Sequence, residues 1–190
     1  MTLDAMLAES RERLASRAIA EGVARVAVDV MDSPLGPLWL ALGPRGVLAI
    51  HYGASGYEGD LRRIVARYGP GVLRAPKRLD EVKRELDEYF AGKRTRFELS
   101  VDLSALTPFQ RRILAATKRV PFGTVRSYRE IATRAGMPTA SRATGNALGA
   151  NPIPIVVPCH RIVGSDGSLH GYAGGLDRKR WLLRLEGIPG

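Results

Sequence analysis

Apolar residues recur at helical spacing through residues 3–21, where Leu3, Leu7, Leu14 and Ala18 share a face and Gly22 closes the run. The pattern predicts an amphipathic helix. Alternating or wholly apolar runs at 23–30, 37–42 and 46–52, separated by DSPLG and GPRG, predict a small antiparallel meander. Helical patterns at 57–68 and 77–91 follow, and RTRFELSVDL, residues 94–103, predicts one more strand as the exit from this half. The first half therefore reads as α+β.

The second half is mostly helical. Thr107 can cap a helix, Pro108 suits its first turn, and Gln110 can return a bond to the cap, so a helix is predicted over 108–118. PFGT ends it. Ser127 and Glu130 form a second capping box for a helix ending near Gly136, and the turn GMPT leads to a third helical stretch, 139–149, stopped by Asn151-Pro152. A terminal helix is predicted over 177–186. Helix, short glycine-containing turn and helix is a DNA-binding arrangement. The layout is then a helical extension at 1–22, an α+β domain at 23–101, and a helix-turn-helix, winged-helix-like domain at 102–190.

Charge sharpens this division. The 190 residues carry a formal charge of +10. Residues 1–98 hold 16 Lys and Arg against 14 Asp and Glu, whereas residues 99–190 hold 13 against 5. The excess lies in the second half, which points to a polyanionic partner, nucleic acid first among them; a basic surface also serves solubility. The third helix of that half is nearly bare, with Ala140, Ala143, Thr144, Gly145, Ala147, Gly149 and Ala150, and Arg142 as its only charge. Small side chains suit tight helix packing, but they equally let a helix approach the walls of a minor groove about 6 Å wide. No apolar run approaches the ~20 residues that span a bilayer, and charges interrupt any secretory signal at the amino terminus. With one cysteine and no internal disulfide, a reduced, cytoplasmic setting is expected.

That cysteine lies in NPIPIVVPCHRIVG, residues 151–164, behind the β-type run PIVV and directly before His160 and Arg161. Pro158 fixes the approach of the chain to Cys159. A lone cysteine is usually a small buried hydrophobe, yet here a base and a fixed positive charge follow in sequence, and cationic neighbours favour the nucleophilic thiolate. A base also needs an orienting carboxylate. Downstream there are three: Asp166 in the turn GSDGS, Asp177 at the start of the last helix, and Glu186 at its end. A carboxylate at a helix carboxyl terminus opposes the helix dipole, so Glu186 asks for a reason.

Taken together, FQRRILAATKRVPFGTVRSYREIA, SRATGNALGANPIPIVVPCHRIVGSDG and GYAGGLDRKRWLLRLEG resemble the O6-alkylguanine-DNA alkyltransferases, across essentially all of 107–187. Over residues 1–100 the likeness is one of layout. The resemblance implies a single-turnover repair reaction on double-stranded DNA, in which an alkyl group leaves guanine O6 for a cysteine that is consumed. It makes Cys159 the acceptor, His160 a base acting through water, Glu186 the orienter of His160, and Asn151 the stabiliser of the turn beside the thiol. Tyr128 would donate to the flipped base, and Arg142 would fill the gap left in the stack. Tyr128, Ala140, Arg142, Ala143, Thr144, Gly145 and Gly149 would face DNA. Pro154, Ile162, Tyr172, Ala173 and Gly174 would line the base pocket, with the Ile162 backbone facing the exocyclic amine. From the residues alone, Tyr128 is equally a core-edge aromatic and Arg142 a phosphate contact.

Two departures stand out. Many relatives carry a hydroxyl where this chain has Ala173, which leaves the range of adducts and O4-alkylthymine repair open. Some bind zinc in the first lobe, whereas here the other histidines, His51 and His170, are scattered, so neither metal nor cofactor is expected. A monomer is expected, with cooperative association on DNA left open. The competing readings are a non-catalytic binder of alkylated bases, in which tryptophan replaces the cysteine, and a major-groove regulator, for which the third helix has few side chains to read base edges. A cysteine hydrolase is disfavoured because its Cys and His usually meet from distant segments.

Overall fold

Strands form where the apolar runs lie. In a computed structural model that describes residues 3–189, β1 (Val26–Met31), β2 (Leu38–Gly43) and β3 (Gly46–Tyr52) make the antiparallel meander. The side chains of residues 3–5 and 8, Leu3 of the predicted helix face among them, lie outside the described residues. Contacts divide the chain into one unit of Met1–Asp87 with Leu99–Asp102 and a second of Glu88–Glu98 with Leu103–Gly190.

In the first unit the sheet order is β3-β2-β1-β4, and β4 (Val72–Arg74) pairs parallel to β1. Three residues are too few to show a period, which is why this strand is not visible in the sequence. Four consecutive residues of β2, Leu38 to Ala41, are buried, so both faces of the sheet are covered. On one face Ile64 of α2 (Glu58–Tyr68) joins Val26, Trp39, Ala41, Leu48 and Ala49, and Tyr57 stacks on Trp39 at 4.6 Å. A short 3-10 turn, Pro76–Leu79, packs against β1 and β2 and leads into α3 (Asp80–Phe90), whose Val82 and Leu86 are buried.

Two expectations for this unit are corrected. The helix α1 (Leu3–Ala20) forms, but Leu7 and Leu14 are exposed and Ala15 is the residue it buries. The helix meets β4 and the 3-10 turn with another face, which leaves Leu7 and Leu14 outward. The strand expected over 94–103 shrinks to one bridge, Val47 with Val101, flanked by bonds from Val47 N–H to Ser100 O and from Asp102 N–H to Val47 O, both 2.9 Å. Upstream, Arg94 donates to Glu88 at 2.8 Å and no ladder forms over residues 94–100. Gly46 permits the bridge: its φ is +128°, and a Cβ there would meet Ser100 O at 2.3 Å.

The second unit is helical. Both capping boxes form, Thr107 with Gln110 at the head of α4 (Pro108–Lys118) and Ser127 with Glu130 at the head of α5 (Tyr128–Arg134). α6 (Ser141–Gly149) packs on α4 and α5, which completes the helix-turn-helix. A two-residue strand β5 (Arg126–Ser127) pairs parallel with β6 (Ile162–Val163), and α7 (Leu176–Leu185) ends the fold. Ile113, Leu114, Ile131, Ile153, Ile155 and Leu182 form its buried interior. No described helix is long and apolar enough to cross a membrane.

Candidate active site

The segment before Cys159 is a tight turn, which corrects the strand suggested by PIVV. Three prolines, Pro152, Pro154 and Pro158, remove amide donors, so the few backbone bonds of the turn need side-chain support. Asn151 supplies that support. Its Oδ1 accepts from Ile153 N–H at 3.0 Å, and its Nδ2 donates to Val157 O at 2.9 Å and to Cys159 Sγ at 3.1 Å. Ile155 takes φ +72° within this turn while fully buried. For a β-branched residue that backbone is strained, and the closed packing around it is what holds it there.

Cys159 opens a 3-10 turn, Cys159–Arg161. Successive side chains on such a turn project about 120° apart, which separates Cys159 from the two residues that follow it. Cys159 faces Asn151. His160 and Arg161 face Glu186, which ends α7: His160 Nε2 lies 2.9 Å from Oε1, and Arg161 donates from Nη2 to Oε1 at 2.8 Å and from Nε to Oε2 at 2.9 Å. Tyr89 Oη donates to Oε1 at 2.6 Å, and Gly123 N–H to Oε2 at 3.2 Å. The carboxylate at the wrong end of a helix thus has its reason: buried donors outweigh the helix dipole.

Burial alone would push Glu186 up, but the bonds from His160 and Arg161 prevail and bring its pKa down to about 2. Glu186 is therefore a carboxylate with no proton to give, which requires His160 to donate from Nε2. The other ring nitrogen, Nδ1, then carries the lone pair, and it is buried without a hydrogen-bond partner among the described residues. Burial lowers the His160 pKa against the opposing pull of Glu186, so the ring is neutral at physiological pH. This is the protonation state of a base.

The cation nearest in effect to the thiol is a correction to the sequence reading. Arg161 is occupied with Glu186 and with Val120 O, to which it donates at 2.6 Å. Lys179 takes that place instead. It is 1% exposed, and its Nζ donates to Ile162 O at 2.6 Å and to His170 O at 3.1 Å. Burial raises the Cys159 thiol to about 11, with the Asn151 bond and the Lys179 charge pulling the other way. Burial likewise brings Lys179 down to about 8. The resting thiol is protonated and enclosed, 6% exposed.

Around this centre the other candidate residues are distributed unevenly. Tyr128, at the head of α5, is half-buried, and its hydroxyl pKa is raised by burial and then by the charge of Cys159. Gly145 of α6 lies against it, where a Cβ would sit 3.7 Å from the ring. Arg142, Ala143 and Gly149 are exposed and Ala140 is half-buried. Thr144, expected to face DNA, is fully buried together with Ala147 and Leu148, on the side of α6 that packs against α4 and α5. In the segment 151–175, Pro154, Ile162 and Gly174 are buried, Tyr172 is half-buried and Ala173 exposed. The Ile162 carbonyl accepts from Lys179.

Tyr89, Gly123 and Lys179 are parts of the site that the sequence reading does not find. Lys179 carries a legible signal. Residues 179, 182, 183 and 186 form one helical stripe, and a lysine on the buried face of a helix needs an internal partner. Tyr89 sits at the corresponding position of a stripe with Val82, Glu85 and Leu86, where an aromatic ring reads simply as core.

Comparison with known proteins finds a match for each half of the chain. Residues 108–188 match the family described as "6-O-methylguanine DNA methyltransferase, DNA binding domain", and residues 26–103 match its "ribonuclease-like domain". The methylated-DNA–protein-cysteine methyltransferase of Mycolicibacterium paratuberculosis is 45% identical over 159 residues, 82% of this chain and 89% of its own. That of Salmonella typhimurium is 38% identical over 179 residues, covering 86% and 96%. A crystal structure of Mycobacterium tuberculosis OGT in complex with DNA superposes with a TM-score of 0.74 at 38% identity, covering 86% of this chain and 96% of that one.

Proposed function

The chain belongs to the methylated-DNA–protein-cysteine methyltransferase family, and from that premise we propose that it repairs duplex DNA by moving the alkyl group of O6-alkylguanine onto Cys159 in a single-turnover reaction. The observation that carries this reading is the thiol held by Asn151 beside a neutral His160 whose Nε2 is committed to Glu186. The likeness to a relative solved with DNA and the basic second half support double-stranded DNA as the partner. The target atom is out of reach within a duplex, so the nucleotide has to leave the stack. Repair by this route takes place in the cytoplasm and calls on no cofactor.

The chemistry is an in-line displacement. The thiol proton passes through a water to His160 Nδ1; the thiolate sulfur attacks the alkyl carbon, the S–C bond forms and the C–O6 bond breaks. The electron pair goes to guanine O6, and protonation of the departing base, with Tyr128 as donor and His160 as the final source, restores neutral guanine. Lys179 and the Asn151 amide stabilise sulfur while it is anionic. Nothing removes the thioether, so Cys159 is consumed. Arg142 on the exposed side of α6 is suited to enter the duplex where the base has left, and Ala140, Ala143, Gly145 and Gly149 let the helix lie close to the groove. Tyr172, Ala173 and Gly174 contribute the wall of the base site.

The test is stoichiometric. Incubation with excess duplex containing O6-methylguanine restores one guanine per protein chain and then stops. Continued turnover, or binding with no guanine restored, contradicts the proposal.

A further inference from the structure

Glu186 Oε1 has more donors than orienting a histidine requires. It accepts from His160 Nε2, from Arg161 Nη2 and from Tyr89 Oη, and the tyrosine bond, at 2.6 Å, is the shortest of the three. Tyr89 is fully buried, ringed by Phe90, Phe97 and Phe122, and its hydroxyl also lies 3.5 Å from His160 Nε2. A tyrosine that only filled space would not need its oxygen on the carboxylate atom that faces the imidazole.

We propose that Tyr89 is a positioning residue of the transfer reaction, one that shares Glu186 Oε1 with His160 and so limits how strongly the carboxylate draws a proton onto the imidazole. This rests on His160 acting as the base for Cys159. A carboxylate oxygen that accepts several strong donors has less negative charge to offer each of them. With Tyr89 in place, Glu186 aligns His160 without holding it as imidazolium, and Nδ1 stays free to take the thiol proton. The other charged and titratable groups facing the ring act in known directions. Arg161, on the same turn, and Lys179, from α7, disfavour the imidazolium, and Glu186 favours it. The Cys159 thiol adjoins it in the chain. Tyr89 tempers the one group that opposes neutrality.

The experiment is the pH profile of single-turnover methyl transfer from an O6-methylguanine duplex, for the wild-type protein, Tyr89→Phe and His160→Gln. The wild type shows an acid limb set by His160, and His160→Gln loses it. Tyr89→Phe keeps the limb but moves it to higher pH, so that its rate falls about tenfold for each unit of displacement at pH values below the limb. A limb unmoved in Tyr89→Phe, with or without a uniform loss of rate, overturns the proposal. A limb that survives in His160→Gln overturns the base reading instead. Should Tyr89→Phe fail to fold, site-specific replacement of Tyr89 by fluorotyrosines, which are stronger donors of the same shape, provides the measurement: the limb then moves to lower pH as the phenol becomes more acidic, and an unchanged limb is again the contrary result.

Discussion

The side-chain amide of Asn151 donates to Cys159 Sγ at 3.1 Å, from the same nitrogen that holds Val157 O at 2.9 Å. One group thus shapes the turn and stabilises the sulfur. Asn151→Ala leaves Ile153 N–H buried without its partner, a loss of about 1–3 kcal/mol, and removes one of the two donors to Val157 O, which keeps the Cys159 N–H. The variant should unfold at lower denaturant and transfer methyl more slowly while still binding DNA. Loss of stability with an unchanged transfer rate would show that the turn does not aim the thiol.

The resting thiol, raised by burial to about 11, sets a second expectation. In the protein without DNA, alkylation of Cys159 by iodoacetamide should rise about tenfold per pH unit from neutrality toward pH 11, because only the thiolate reacts. Lys179→Met removes the compensating charge and should carry that rise to still higher pH. A plateau already at neutral pH would mean a thiolate in the free protein.

Acid stability follows from Glu186, whose pKa falls from the ordinary 4.5 to about 2 on folding. Between those values the unfolded chain binds more protons than the folded one, so stability is full above pH 4.5 and is lost as pH falls toward 2. Neutral, buried His160 adds a loss of the same sign at higher pH, below its ordinary 6.5. Glu186→Gln should cost about 3–5 kcal/mol at neutral pH, since it breaks a buried ion pair, and that penalty should shrink as the wild type is acidified. Denaturant unfolding across pH 2–7 measures both, and parallel curves for the two proteins would contradict the assignment.

Arg142 is exposed on α6, clear of the thiol network, and this separates its role from chemistry. Arg142→Ala should weaken capture of the lesion in duplex DNA and leave reaction with the free base O6-methylguanine intact. Equal losses in both assays would assign it to the reaction centre.

What the sequence made legible was what rests on local chemistry. The two capping boxes fix the starts of α4 and α5 because each is complete within four residues. Glu186 announced itself by opposing its own helix, and the thiol by its proline frame. What escaped depends on tertiary context. Ile155, Val156 and Val157 have strand propensity, yet Asn151 and the prolines bend them into a turn. Thr144 looks as small and polar as its exposed neighbours, and only the packing of α6 on α4 and α5 shows that it points inward. Arg161 lies two residues from the thiol in sequence, but the 3-10 turn rotates it onto Glu186 and leaves the charge near sulfur to Lys179, which is 20 positions beyond Cys159.

The most direct measurement is peptide mass mapping of the protein after saturation with an O6-methylguanine duplex. One methyl group should appear on the peptide that contains Cys159, on every chain and nowhere else, and Cys159→Ala should bind the duplex without acquiring it. An unmodified Cys159 peptide beside repaired guanine, or a methyl group on any other residue, would contradict the account.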